Sequence, residues 1–89
     1  MHMQFVKMIQ FSRLVKAEGR LREYNFRKIK SPDGEMFSVN VCNERGDRIT
    51  FNMQKKDNGW RIQPGEIPKW ILQNETNLNE AIEDELRNW

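Results

Sequence analysis

Between residues 22 and 62 apolar and polar side chains alternate in short runs broken by glycine-containing turns. A helix has a period near 3.6 and cannot gather such a pattern onto one face, whereas a strand does so by construction. From Arg22 to Lys30, Tyr24 and Phe26 point one way while Asn25 and Arg27 point the other. Beyond Ser31-Pro32-Asp33-Gly34, Phe37, Val39 and Val41 alternate with Met36, Ser38, Asn40 and Cys42. Asn43 to Asp47 forms the next turn, after which Ile49, Phe51 and Met53 alternate with Thr50, Asn52 and Gln54. Lys56-Asp57-Asn58-Gly59 leads into a last short strand in which Trp60 and Ile62 share a face. Each turn sets a glycine beside Asp, Asn or Arg, which supplies the positive φ of tight hairpins. Strands joined this closely are antiparallel neighbours, so the spacing predicts a β-meander of about four strands over residues 22–63, ordered as in the chain.

One face of this sheet collects Tyr24, Phe26, Phe37, Val39, Val41, Ile49, Phe51, Met53, Trp60 and Ile62 and needs an apolar cover. Residues 66–88 supply it. Ile67, Trp70, Ile71, Leu78, Ala81, Ile82, Leu86 and Trp89 recur near helical spacing with the glutamates opposite them. Pro68 suits the first turn. Residues 74–77 are a weak spot where the helix can bend or restart, with Asn77 and Glu80 as a capping pair. Burying each large side chain of this core contributes about 1.5–3 kcal/mol before chain entropy is subtracted. The first twenty residues read in two ways, since Phe5, Ile9 and Phe11 fit a strand while Phe5, Met8, Ile9 and Val15 fit a helical stripe. The reading adopted is a fifth, N-terminal strand ending at Phe11, then a short helix from a Ser12 cap to a Gly19 stop. The fold class is therefore α+β, a meander packed on one face by a C-terminal amphipathic helix. All 89 residues form a single domain, with Met1 to Met3 read as a cloning remnant or untethered end.

A single cysteine, Cys42, cannot close an internal disulfide, and no apolar run approaches membrane-spanning length, so the expected setting is reducing and cytoplasmic with no membrane partner. The net charge of +2 hides a gradient. Through residue 30 eight bases stand against two acids, a surplus of six; from residue 64 onward six acids stand against two bases, a deficit of four.

The residues that catalysis requires are missing. One cysteine and one terminal histidine, His2, make neither a structural zinc site nor a nucleophile–base pair. Cys42 reads as filler at a strand end. Glu80, Glu83, Asp84 and Glu85 read as a solvated helix face, and the five glycines are scattered among turns rather than clustered into a phosphate loop. The expectation is a protein that is not an enzyme and uses no cofactor and no metal.

Two surfaces remain. One is the basic segment ending at Lys30, with Arg20, Arg22, Arg27, Lys28 and Lys30 interleaved with Tyr24 and Phe26. The other is the polar sheet face, on which Asn25, Arg27, Asn40, Asn52 and Arg61 are rich in hydrogen-bonding groups and poor in negative charge. The expected function is a small binding module for a protein partner or for a second copy of itself, through the polar face, the basic edge and the acidic helix, with Trp70 and Trp89 as candidate aromatic anchors. The alternative is single-stranded DNA or RNA binding, phosphates on the basic segment and bases on the polar face.

Overall fold

A computed structural model describes residues 9–32 and 34–88. The alternation resolves into five strands, β1 (Gln10–Ala17), β2 (Arg20–Ser31), β3 (Gly34–Cys42), β4 (Arg48–Lys56) and β5 (Gly59–Ile62), followed by two helices, α1 (Lys69–Leu72) and α2 (Glu75–Leu86). All strand pairs are antiparallel and the sheet order is the chain order.

The buried face is the one the alternation marks. Tyr24, Phe26, Phe37, Val39, Val41, Met53 and Trp60 pack with Ile71, Leu78 and Ile82 from the helices in one core, and Ile49 and Ile62 lie partly buried against it. The aromatic rings form a run across the strands. Phe11 stacks on Phe26 at 4.7 Å between centroids, meets Phe37 edge-on at 5.8 Å, and Phe37 meets Trp60 at 5.0 Å. Such pairs add about 0.5–1.5 kcal/mol each beyond the area they bury.

The short helix expected from Ser12 to Gly19 is a strand. Phe11, Arg13, Val15 and Ala17 all lie on the inner side, in register with Phe26, Tyr24, Arg22 and Arg20. The alternation is masked in the sequence by Arg13, a charge at an inward position, which α2 makes tolerable: its guanidinium Nη2 donates to Asp84 Oδ2 at 2.8 Å and Glu85 Oε1 at 3.1 Å. Glu18 and Gly19, both with positive φ (52° and 76°), close the two-residue hairpin that starts β2. The expected strand ending at Phe11 lies largely outside the described residues, as does Trp89.

The helical cover is broken rather than continuous. Asn74 (φ −99°, ψ 7°) separates the helices, and Asn77, expected as a cap, lies inside α2 and donates its Nδ2 to Asn74 Oδ1 at 2.8 Å. Pro68 precedes α1 instead of occupying its first turn. The restart at Glu75 sets the direction of α2, which touches both β5 and β1 and so spans the mouth of a half-barrel.

How α2 meets β5 follows from strand geometry. Gln63 N donates to Asn52 O, so odd-numbered backbone groups of β5 face β4 and even-numbered ones face the free edge. Both outward N–H groups are taken by α2 side chains: Trp60 N donates to Asn79 Oδ1 at 2.7 Å and Ile62 N to Glu75 Oε2 at 2.8 Å. Four helical residues advance about 6 Å and two strand residues about 6.7 Å, so one helical turn matches one strand repeat. An edge strand that would otherwise invite pairing with another chain is closed by this match.

Candidate interaction surface

Strand alternation divides the nine residues singled out in the sequence between two faces. The registers place Asn25, Arg27, Asn40, Asn52 and Arg61 on the outer face and Arg20, Arg22, Lys28 and Lys30 on the inner face, where they extend beyond the core at the two ends of β2. The basic segment is therefore no continuous patch. Tyr24 and Phe26, which stacking on bases would need in the open, are 0% and 1% exposed.

Three of the four inner bases, Arg20, Arg22 and Lys28, lie against an acid or an aromatic ring. Lys28 Nζ donates to Glu35 Oε1 at 2.9 Å, which draws the Glu35 carboxyl below its usual range. Arg22 lies over the Trp70 ring at 4.5 Å, donates Nη1 to Cys42 O at 3.2 Å and, with Arg20, faces Glu44. Trp70 is half-buried, packed against the core and beneath Arg22, so it serves the fold and is not a free anchor. Four of the five acids of α2 meet bases within the fold. Arg13 binds Asp84 and Glu85, Lys55 lies 3.6 Å from Glu83, and Arg61 lies 3.4 Å from Glu75. The hydrogen bond from Arg13 holds the Asp84 carboxyl below its ordinary pKa and raises that of Arg13.

The outer face is different. Among the described residues no helix packs on it, and its charged side chains are five bases, Lys16, Arg27, Arg48, Lys56 and Arg61, against one acid, Glu23, a net +4 against +2 for the whole chain. At its centre a polar row crosses four strands. Ser12 Oγ donates to Asn25 Oδ1 at 2.6 Å, Asn25 Nδ2 to Asn40 Oδ1 at 3.0 Å, and Arg48 Nη1 to the same oxygen at 2.7 Å. These bonds fix the orientation of both amides. Beside the row is a depression of about 310 Å³ lined by Gln10, Ser12, Asn25, Arg27 and Asn40 from the outer face and bordered by Phe11 and Phe26 from the inner one. Asn52 lies in the next row, in register with Ser38, and Gln54 is covered by a hydrogen bond from Gln63 Nε2. At the β1–β2 corner Leu14 and Leu21, 64% and 65% exposed, add an apolar edge.

Sequence reasoning missed Ser12 and Arg48 as members of this surface. In the sequence Ser12 reads as a helix cap, and Arg48 adjoins a turn where alternation carries no information. The register, which pairs Ser12 with Asn25, Asn25 with Asn40 and Cys42 with Arg48, is what brings them together.

Among the described residues no group of three or more His, Cys, Asp or Glu side chains is placed to hold a metal ion, and no helix is long and apolar enough to cross a membrane. No family model matches this chain, nor does any curated protein or solved structure, so the reading of the surface rests on its geometry.

Proposed function

We propose that this protein is a non-enzymatic binding module that receives an acidic surface or segment of a protein partner on its outer sheet face. The observation that carries the reading is the net +4 on that face, of which only Arg61, at the β5 edge, is met by an acid of α2, Glu75; Lys16, Arg27, Arg48 and Lys56 against Glu23 leave +3 facing away from the helix. A basic face attracts an acidic partner at long range, and the oriented Asn25 and Asn40 amides supply directional hydrogen bonds once it has docked. Leu14 and Leu21 give the same face an apolar corner, which suits a protein better than a polyanion. Head-to-tail pairing of a basic and an acidic end is less favoured than the sequence suggests, because Glu75, Glu83, Asp84 and Glu85 already meet bases within one chain.

Single-stranded nucleic acid is the second reading, supported by the same basic excess. Against it, every described aromatic of the strands, Phe11, Tyr24, Phe26, Phe37, Phe51 and Trp60, lies on the inner side, which removes the stacking platform such proteins use. Fluorescence anisotropy with a labelled acidic peptide containing leucines and with a mixed-sequence single-stranded oligonucleotide separates the two. Saturable peptide binding that Arg27→Glu with Lys56→Glu weakens at least about tenfold is the expected result. Tighter binding of the oligonucleotide would favour the second reading, and binding of neither would overturn both.

A further inference from the structure

From the geometry around Arg22 we infer a second site, independent of the outer face: an oxyanion site at the end of the half-barrel, taking a carboxylate or a phosphate group. The Arg22 side chain is only 10% exposed. A guanidinium carries five N–H donors, and burying it is costly unless they are met by acceptors. Among the described residues Arg22 has one hydrogen-bond acceptor, the Cys42 carbonyl, and its Nε is buried without a partner. What holds the group in place is the Trp70 ring at 4.5 Å beneath it, a stack that orients the planar fork without using its donors.

The acid that faces this fork is Glu44, and it is a poor match. Its Oε1 is 3.6 Å from Arg22 Nη2 and 3.8 Å from Arg20 Nη1, outside hydrogen-bonding distance of both, and its side chain is 65% exposed. Glu44 belongs to the β3–β4 turn, which is braced without it: Asn43 Oδ1 accepts from Arg45 N and Asp47 N, each at 2.9 Å. Its side chain can therefore swing into solvent at little cost to the turn. Between this turn and the β1–β2 hairpin, Arg22, Trp70, Asn43, Glu44, Arg45 and Glu18 line a depression of about 320 Å³.

With Glu44 in place the site holds Arg20, Arg22 and Arg45 against Glu18 and Glu44. With Glu44 displaced three bases face one acid, and the Nη2 edge of a preoriented guanidinium is open to an oxyanion. Glu44 acts as an internal stand-in that occupies the site loosely until a better-placed anion arrives.

The test is an NMR titration of the intact protein at constant ionic strength with inorganic phosphate, with acetate, and with chloride as the control, following the Trp70 indole N–H and the Arg22 Nε–H. Saturable shifts at these two groups are expected with phosphate, acetate or both. Phosphate alone assigns a phosphate site, whereas a response to both assigns a general oxyanion site that an acidic side chain can fill. Glu44→Gln, which removes the competing charge without touching the fold, should tighten binding about two- to fivefold, the factor that an exposed ion pair is worth. Arg20→Gln should weaken it, and Arg22→Gln should abolish it where the variant folds. Shifts that do not saturate, shifts matched by chloride, or a Glu44→Gln variant that binds no tighter than the wild type would each overturn the site. Because Arg27 and Lys56 lie on the other face, their charge-reversal variants should titrate like the wild type, which keeps this outcome separate from that of the outer face.

Discussion

Asn79 lies on a helix, and replacing a helical asparagine by alanine ordinarily stabilises a protein by about 0.6 kcal/mol through helix propensity. Here the opposite sign is expected. Asn79 Oδ1 is the acceptor for the outward N–H of Trp60, at 2.7 Å and partly buried beside a side chain that is 0% exposed. Asn79→Ala leaves that donor without a partner, a loss of about 1–3 kcal/mol. Subtracting the propensity gain leaves a net destabilisation of about 0.5–2.5 kcal/mol. In a domain of this size each kcal/mol lowers Tm by about 4–8 °C, so the change is well within reach of urea or thermal unfolding. Native-state amide exchange provides the local readout, with faster exchange at Trp60 than at its β4 neighbours. Gly59 offers a coupled probe: a Cβ there would lie 2.7 Å from Asn79 Oδ1, at a backbone φ of +114°. Gly59→Ala should cost about 1–3 kcal/mol from strain and clash, and the double variant should lose less than the two single losses combined, because Asn79→Ala removes the clash and leaves the strain. An Asn79→Ala protein as stable as the wild type, with unchanged exchange at Trp60, would refute the idea that α2 closes the β5 edge.

Tyr24 is the chain's one tyrosine, so tyrosinate absorbance reports on it alone. Burial raises its pKa, with the Asn74 side chain and the Arg22 charge opposing in part. The unfolded phenol ionises at about 10, so stability is full below that pH, declines above it, and stops declining once pH passes the higher folded value. Tyrosinate absorbance should rise together with the loss of native tryptophan fluorescence, and ionisation at the ordinary pKa in an intact fold would contradict the burial. At the acid end Asp84 and Glu35 are both depressed, by hydrogen bonds from Arg13 and Lys28, so they contribute stability above about pH 4 that is lost as pH falls through their folded values. In Arg13→Gln the Asp84 carboxyl should titrate back in the ordinary range by NMR, with a shallower pH dependence of stability on the acid side.

The hairpins from β2 to β5 were legible because their determinants are local: a period of two in the side chains and a glycine at each turn. The composition of the core followed, since alternation alone assigns Tyr24, Phe26, Phe37, Val39, Phe51 and Trp60 to one side. β1 was not legible, because Arg13 occupies an inward position that only makes sense beside Asp84, 71 residues away. The same holds for charge. The sequence shows how many bases and acids lie in each third of the chain, but whether a base faces solvent or an acid depends on the register and on where α2 crosses. Within β2 each step of one residue moves a side chain to the other face, so one basic run became two sets, Arg27 outside and Arg20, Arg22, Lys28 and Lys30 inside. Alternation along a strand is a local property and can be read from the chain. The basic outer face, the capped β5 edge and the loosely matched Arg22 depend on contacts between residues far apart in sequence, and only the tertiary structure decides those.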